Sequence, residues 1–126
     1  MFLLTIFLRH DQSKPLAEIN AQLEKTGYFD NFPPPGIEIV SWYVCMGIGQ
    51  VVTLRVPSER LREVNRTIED RAWGAFRTEF YATYDFKPIW DQLQVNRKAA
   101  KAKWRALRLR GRSSPRRVRR SGLRLP

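Results

Sequence analysis

The sequence predicts an α+β domain built as strand, helix, strand, strand, helix, strand, followed by a basic tail. Three observations carry this. Four short segments show a two-residue side-chain period, and two segments between them repeat apolar residues at helical spacing. Charge then divides the chain sharply. Residues 1–93 hold ten Lys/Arg against twelve Asp/Glu, whereas residues 94–126 hold thirteen Lys/Arg and no acid. The net charge of +11 therefore belongs to the last quarter, and the folded part is mildly acidic. With 126 residues there is room for one domain of moderate core.

The first strand is Phe2 to Arg9, with Phe2, Leu4, Ile6 and Leu8 alternating against Leu3, Thr5, Phe7 and Arg9. It is apolar on both faces, as a strand covered from both sides would be. Asp11-Gln12-Ser13-Lys14-Pro15 supplies a turn, a cap and a first-turn proline for a helix. Leu16, Ile19 and Leu23 form that helix's apolar stripe, and Gly27 stands where it stops.

Tyr28 to Gly36 reads as a connection stiffened by Pro33-Pro34-Pro35. Ile37 to Met46 is the second strand, with Ile37, Ile39, Ser41, Tyr43 and Cys45 expected on one face and Glu38, Val40, Trp42, Val44 and Met46 on the other. Gly47-Ile48-Gly49-Gln50 can turn a hairpin into the third strand, Val51 to Val56.

Pro57-Ser58 ends the third strand, and Ser58 is the expected N-cap of a second helix. Leu61, Val64, Ile68 and Ala72 form its stripe, and Trp73-Gly74-Ala75-Phe76 closes it. Thr78 to Lys87 is the fourth strand, with Phe80, Ala82, Tyr84 and Phe86 opposite Glu79, Tyr81, Thr83 and Asp85. Pro88 stops it.

This βαββαβ order folds as a four-stranded antiparallel sheet with both helices on one face, a ferredoxin-like plait. Two helices cover only one face. Leu3, Phe7, Trp42 and Tyr43 put large side chains on both, so a second copy of the chain is expected against the bare face.

On this element order, these helix lengths and this doubly apolar sheet, residues 1–90 resemble the dimeric α+β barrel superfamily. The resemblance implies a homodimer of two ferredoxin-like plaits with their sheets face to face. That group includes cofactor-independent monooxygenases, muconolactone-type isomerases, and dye-decolourising and haem-handling enzymes. None of their catalytic signatures can be placed residue by residue on this sequence, and the stretch Trp73 to Trp90 resembles an uncharacterised branch of the group. Other plaits fit less well. An RNA-recognition motif stacks bases on aromatics of its third strand, which here has none. Metal-carrying plaits place two cysteines after the first strand, and acylphosphatase-like anion loops need glycines beside Arg9; both are missing.

Candidate chemistry is sparse. His10, the single histidine, ends the first strand, where plait pockets open, and a neutral imidazole there can take a proton. It is the candidate catalytic residue, against the simpler reading of a solvated loop histidine. Trp42, Tyr43, Trp73, Arg77, Tyr81 and Tyr84 are candidate ligand-binding residues between sheet and helices, against the simpler reading of core aromatics and an edge-strand guard. Arg55, Glu79 and Asp85 share the second ambiguity. A lone Cys45 excludes an internal disulfide, and no metal constellation or cofactor motif appears. Any chemistry is expected to be cofactor-free.

The opening Met1-Phe2-Leu3-Leu4-Thr5-Ile6-Phe7-Leu8 lacks the basic leader and cleavage site of a signal peptide, and no run spans a membrane, so a cytoplasmic setting is expected. From Gln94 the tail reads as helical, ended by Gly111 to Pro115 and followed by a disordered arm. Arg97, Lys98, Lys101, Lys103, Arg105, Arg116, Arg117, Arg119 and Arg120 are the candidate nucleic-acid contacts, binding polyanions non-specifically. A solvated tail without a partner is the competing reading. An out-of-frame reading of GC-rich coding sequence would give the same acid-free run of Arg, Leu, Ser, Pro and Gly.

Overall fold

In the computed structural model the described residues are 1–112, and the expected disordered arm with Arg116, Arg117, Arg119 and Arg120 lies outside them. The chain divides into two compact units, residues 1–84 and 85–126.

The first unit runs β1 (Phe2–His10), α1 (Leu16–Thr26), α2 (Tyr28–Asn31), β2 (Glu38–Cys45), β3 (Gly49–Val56), a 3-10 turn at Ser58–Arg60, α3 (Leu61–Arg71) and β4 (Phe76–Thr83). The strands form one sheet in the order β2-β3-β1-β4, and every neighbouring pair is antiparallel. β1 and β2 are thus parallel with β3 between them, and β3 and β4 are parallel with β1 between them. Two split βαβ units interleave.

The two-residue period of β1 and β3 decides what is buried. Leu4, Ile6 and Leu8 face Leu54, Val52 and Gln50 across the register, and Ile19 and Leu23 of α1 with Val64 and Ile68 of α3 join the sheet residues in one core. Both helices therefore cover the same sheet face. No side chain of the opposite face is buried. It carries Leu3, Thr5, Phe7, Arg9, Tyr43, Val51, Thr53, Arg55, Arg77, Glu79, Tyr81 and Thr83, half-buried or exposed. Thr5 hydrogen-bonds Thr53 and Thr83 through hydroxyls at 2.9 and 3.0 Å. Arg9 pairs with Glu79 at 2.6 Å, and Arg55 with Glu38 at 3.3 Å. This outer face is mixed, where the sequence suggests a greasy one.

Several local expectations are corrected. The connection after α1 contains α2, because Gly27, at φ 76°, turns the chain directly into another helical turn that buries Tyr28. A bulge between Ile39 and Ser41 breaks the alternation of β2, so Ile39 shares a face with Trp42 and not with Tyr43. Ser58 caps nothing: it lies in the 3-10 turn, and α3 begins without a side-chain cap. Asp11 likewise leaves α1 uncapped, its carboxylate accepting instead from the N–H and hydroxyl of Ser13 in an Asx turn. β4 starts at Phe76 and ends at Thr83, since Asp85 accepts the N–H of Lys87 and starts a helix there.

That helix, α4 (Lys87–Arg112), is the described part of the second unit. It begins well before the composition boundary at residue 94, with Pro88 in its first turn, where a missing N–H costs nothing. No described helix is long and apolar enough to cross a membrane.

Candidate functional site

The first unit holds a cavity of about 270 Å³ lined by His10, Asn20, Leu23, Tyr28, Phe29, Phe32, Trp42, Gln50 and Phe76. Its walls come from both layers. β1 and β4 bring His10 and Phe76 together as register partners, and their rings stack with centroids 5.4 Å apart. β2 and β3 bring Trp42 and Gln50, joined by an indole N–H donated to Gln50 Oε1 at 2.8 Å. α1 contributes Asn20 and Leu23, and α2 with the residue after it contributes Tyr28, Phe29 and Phe32.

The position of α2 is fixed by its neighbours. The Thr26 hydroxyl donates to the Arg71 carbonyl and the Arg71 guanidinium donates back to the Thr26 carbonyl, both at 2.6 Å, tying the end of α1 to the end of α3. Asn31 Nδ2 donates to the Gly27 carbonyl at 2.7 Å. Tyr28 is thereby pressed among rings: stacked on Phe32 at 5.3 Å, and edge-on to Phe29 at 5.6 Å and to Phe76 at 5.9 Å. Phe32 meets Trp42 edge-on at 5.7 Å. Contacts of this geometry add to area burial and hold each ring in one orientation.

Polar capacity in the cavity is partly unspent. The Tyr28 hydroxyl is buried without a hydrogen-bond partner, and burial raises its pKa, so the phenol keeps its proton. Among the described residues no hydrogen bond engages the His10 imidazole, and no Asp, Glu, Lys or Arg lines the cavity. Among the described residues no group of three His, Cys, Asp or Glu is placed to hold a metal ion.

Of the candidate residues read from sequence, His10 and Trp42 line this cavity. Tyr43, Arg77 and Tyr81 sit on the outer sheet face, exposed. Trp73 is exposed in the turn after α3, its indole N–H donated to Thr78 Oγ1 at 3.1 Å, and Tyr84 is 76% exposed at the end of the unit. On the outer face Glu79 accepts from Arg9 and from the Tyr81 hydroxyl; these bonds hold its carboxyl below the usual range and push the Tyr81 phenol up. Sequence reasoning misses Tyr28, Phe32, Gln50 and Phe76. The available signal is the spacing of Tyr28 and Phe32, four apart directly after Gly27, as neighbours on a helical turn would be.

In the second unit Arg97, Lys98, Lys101, Lys103 and Arg105 are all exposed on α4. Asp91, paired with Lys87 at 2.7 Å, is the only acid in the helix. Comparison with family models, with curated proteins and with solved structures returns no match to this chain.

Proposed function

We propose that residues 1–84 form a ferredoxin-like domain of the dimeric α+β barrel kind that binds one small, mainly apolar organic molecule between sheet and helices, without a cofactor. The observation that carries this is the cavity itself: about 270 Å³, lined mainly by aromatic rings, with His10 at the end of β1 among them. His10 is the group there able to take a proton, so any chemistry on the bound molecule runs through it.

The test is a thermal-shift panel of uncharged one- and two-ring compounds, repeated on Leu23→Trp, which fills the cavity from α1. Stabilisation of the wild type that disappears in the variant supports the reading. A wild type that no compound stabilises sinks it.

A second copy belongs on the outer sheet face. Phe7, Tyr43, Val51 and Tyr81 offer apolar surface there, and its ion pairs neutralise one another. Light scattering at high concentration decides this: a lasting monomer removes the barrel assignment.

A second reading rests on α4. Nine basic residues against one acid over 26 positions suit an anionic polymer, and nucleic-acid association through this helix is the function it supports.

A further inference from the structure

The large apolar residues of α4 are not scattered round the helix. Ile89, Trp90, Leu93, Ala100, Trp104 and Leu107 recur at helical spacing and make one stripe roughly 100° wide, interrupted at Arg97. Val95 and Leu109 stand outside it. Ile89, Trp90, Leu93 and Leu107 are exposed. The basic residues lie along both borders of the stripe: Lys101 and Arg108 on one side, Lys103 on the other. The single acid of the helix, Asp91, is tied to Lys87 at 2.7 Å and leaves the remaining positive charge without a counterweight of its own.

Three partners could meet this surface, and two of them use only half of it. Duplex DNA would take the charge, since most contacts to a duplex run to phosphates and are polar; it would leave Trp90, Leu93, Trp104 and Leu107 in water. A second α4 would take the stripe, but two helices of the same strong positive charge would then lie side by side, with Arg97 in the seam. An anionic lipid surface takes both. Leu and Ile enter the acyl boundary, indole rings settle at headgroup level, and Lys and Arg at the borders extend their stems along the apolar layer and set their charges among the phosphates. The helix is too polar to cross a bilayer, so it lies in the surface plane.

We infer that α4 is a membrane-surface helix that binds anionic phospholipid through its Trp–Leu stripe and its bordering Lys and Arg residues. This stands apart from the cavity in residues 1–84. The nucleic-acid reading of the same helix is its competitor, and the stripe is the feature that separates the two.

The test uses the full chain with three probes: vesicles of phosphatidylcholine, vesicles of phosphatidylcholine with phosphatidylserine, and duplex DNA. Wild type should float with the serine-containing vesicles and not with the neutral ones. Leu93→Gln/Leu107→Gln keeps every charge and a good helix former at each position. It should weaken vesicle binding roughly tenfold or more and leave DNA affinity unchanged. Brominated acyl chains in the anionic vesicles should quench wild-type tryptophan fluorescence, and Trp90→Phe/Trp104→Phe should lose most of that quenching. Wild type that binds DNA and neither vesicle overturns the inference in favour of nucleic acid. Vesicle binding that is equal in Leu93→Gln/Leu107→Gln, without quenching, overturns it in favour of adsorption by charge alone. A wild-type dimer that the same variant dissociates, with no vesicle binding, overturns it in favour of a second copy.

Discussion

The imidazole of His10 lies nearly flat on the ring of Phe76, with planes 17° apart, and the two residues are also register partners across β1 and β4. Backbone pairing and ring stacking thus act on the same two residues, yet their burial differs. Phe76 is a core residue, and His10 is half-buried, its side chain making no hydrogen bond among the described residues. Phe76→Ala should therefore cost about 3–5 kcal/mol of stability. His10→Ala should cost less than about 1 kcal/mol, its effect appearing in ligand affinity or turnover. Urea denaturation of both variants checks this; a His10 variant as unstable as the Phe76 variant would make His10 a packing residue.

Gly49 opens β3 at φ 152°, and a Cβ there would run into the Leu8 carbonyl and sit 2.9 Å from the Arg9 Cα. Neither is the end of a flexible side chain. Gly47, at φ 77°, has open space around the same position. Gly49→Ala should destabilise by about 2 kcal/mol or more, and Gly47→Ala by about 1 kcal/mol from backbone conformation alone. Denaturant midpoints of the two variants should rank in that order.

Glu79 gives the outer face an acid dependence of known sign. Its carboxyl is held below the usual carboxylate range first by the hydrogen bond from Arg9, then by that from Tyr81. The contribution is complete above the unfolded value of about 4.3 and is lost as pH falls through the lower folded one. Glu79→Gln should lose stability relative to wild type at neutral pH, and the difference should close in acid. Carboxyl NMR titration should show Glu79 returning toward its ordinary value in Arg9→Gln. An unchanged Glu79 titration in that variant would mean the pair is absent in solution.

The charge on α4 makes a quantitative statement about salt. Replacing Lys98, Lys101, Arg105 and Arg108 by Gln should reduce the slope of log affinity against log salt for duplex DNA by roughly one per charge that meets a phosphate. Fluorescence anisotropy at several salt concentrations measures it. Identical slopes for wild type and variant would remove α4 from any nucleic-acid function.

Legibility in the sequence follows the number of constraints on each segment. β1 and β3 sit in the middle of the sheet, so their alternation is regular; the sequence reads β1 as apolar on both faces, and the packing of α1 and α3 decides which face becomes the core. β2 is an edge strand, and a bulge at Ile39–Ser41 moves Ile39 to the other face at small cost, which no alternation rule reveals. The candidate site divides the same way. His10 is found because strand ends are where pockets open, and Trp42 because large aromatics attract notice. Tyr28 and Phe32 are hidden by the three prolines that follow, which make the segment read as linker.

The order of the four strands with α1 and α3 between them, the alternation of β1, and the charge division near residue 94 follow from the sequence itself, because local periodicity and composition express them. Which aromatics share a cavity does not. Tyr28 and Phe32, Trp42, and Phe76 come from three separate segments, and only the packing of α1 and α2 onto the sheet, with the Thr26–Arg71 hydrogen bonds between helix ends, sets their distances. The missing partner of the Tyr28 hydroxyl is likewise a tertiary fact. A donor is unsatisfied only by virtue of everything folded around it, and that is a property of the assembled core and not of any single segment.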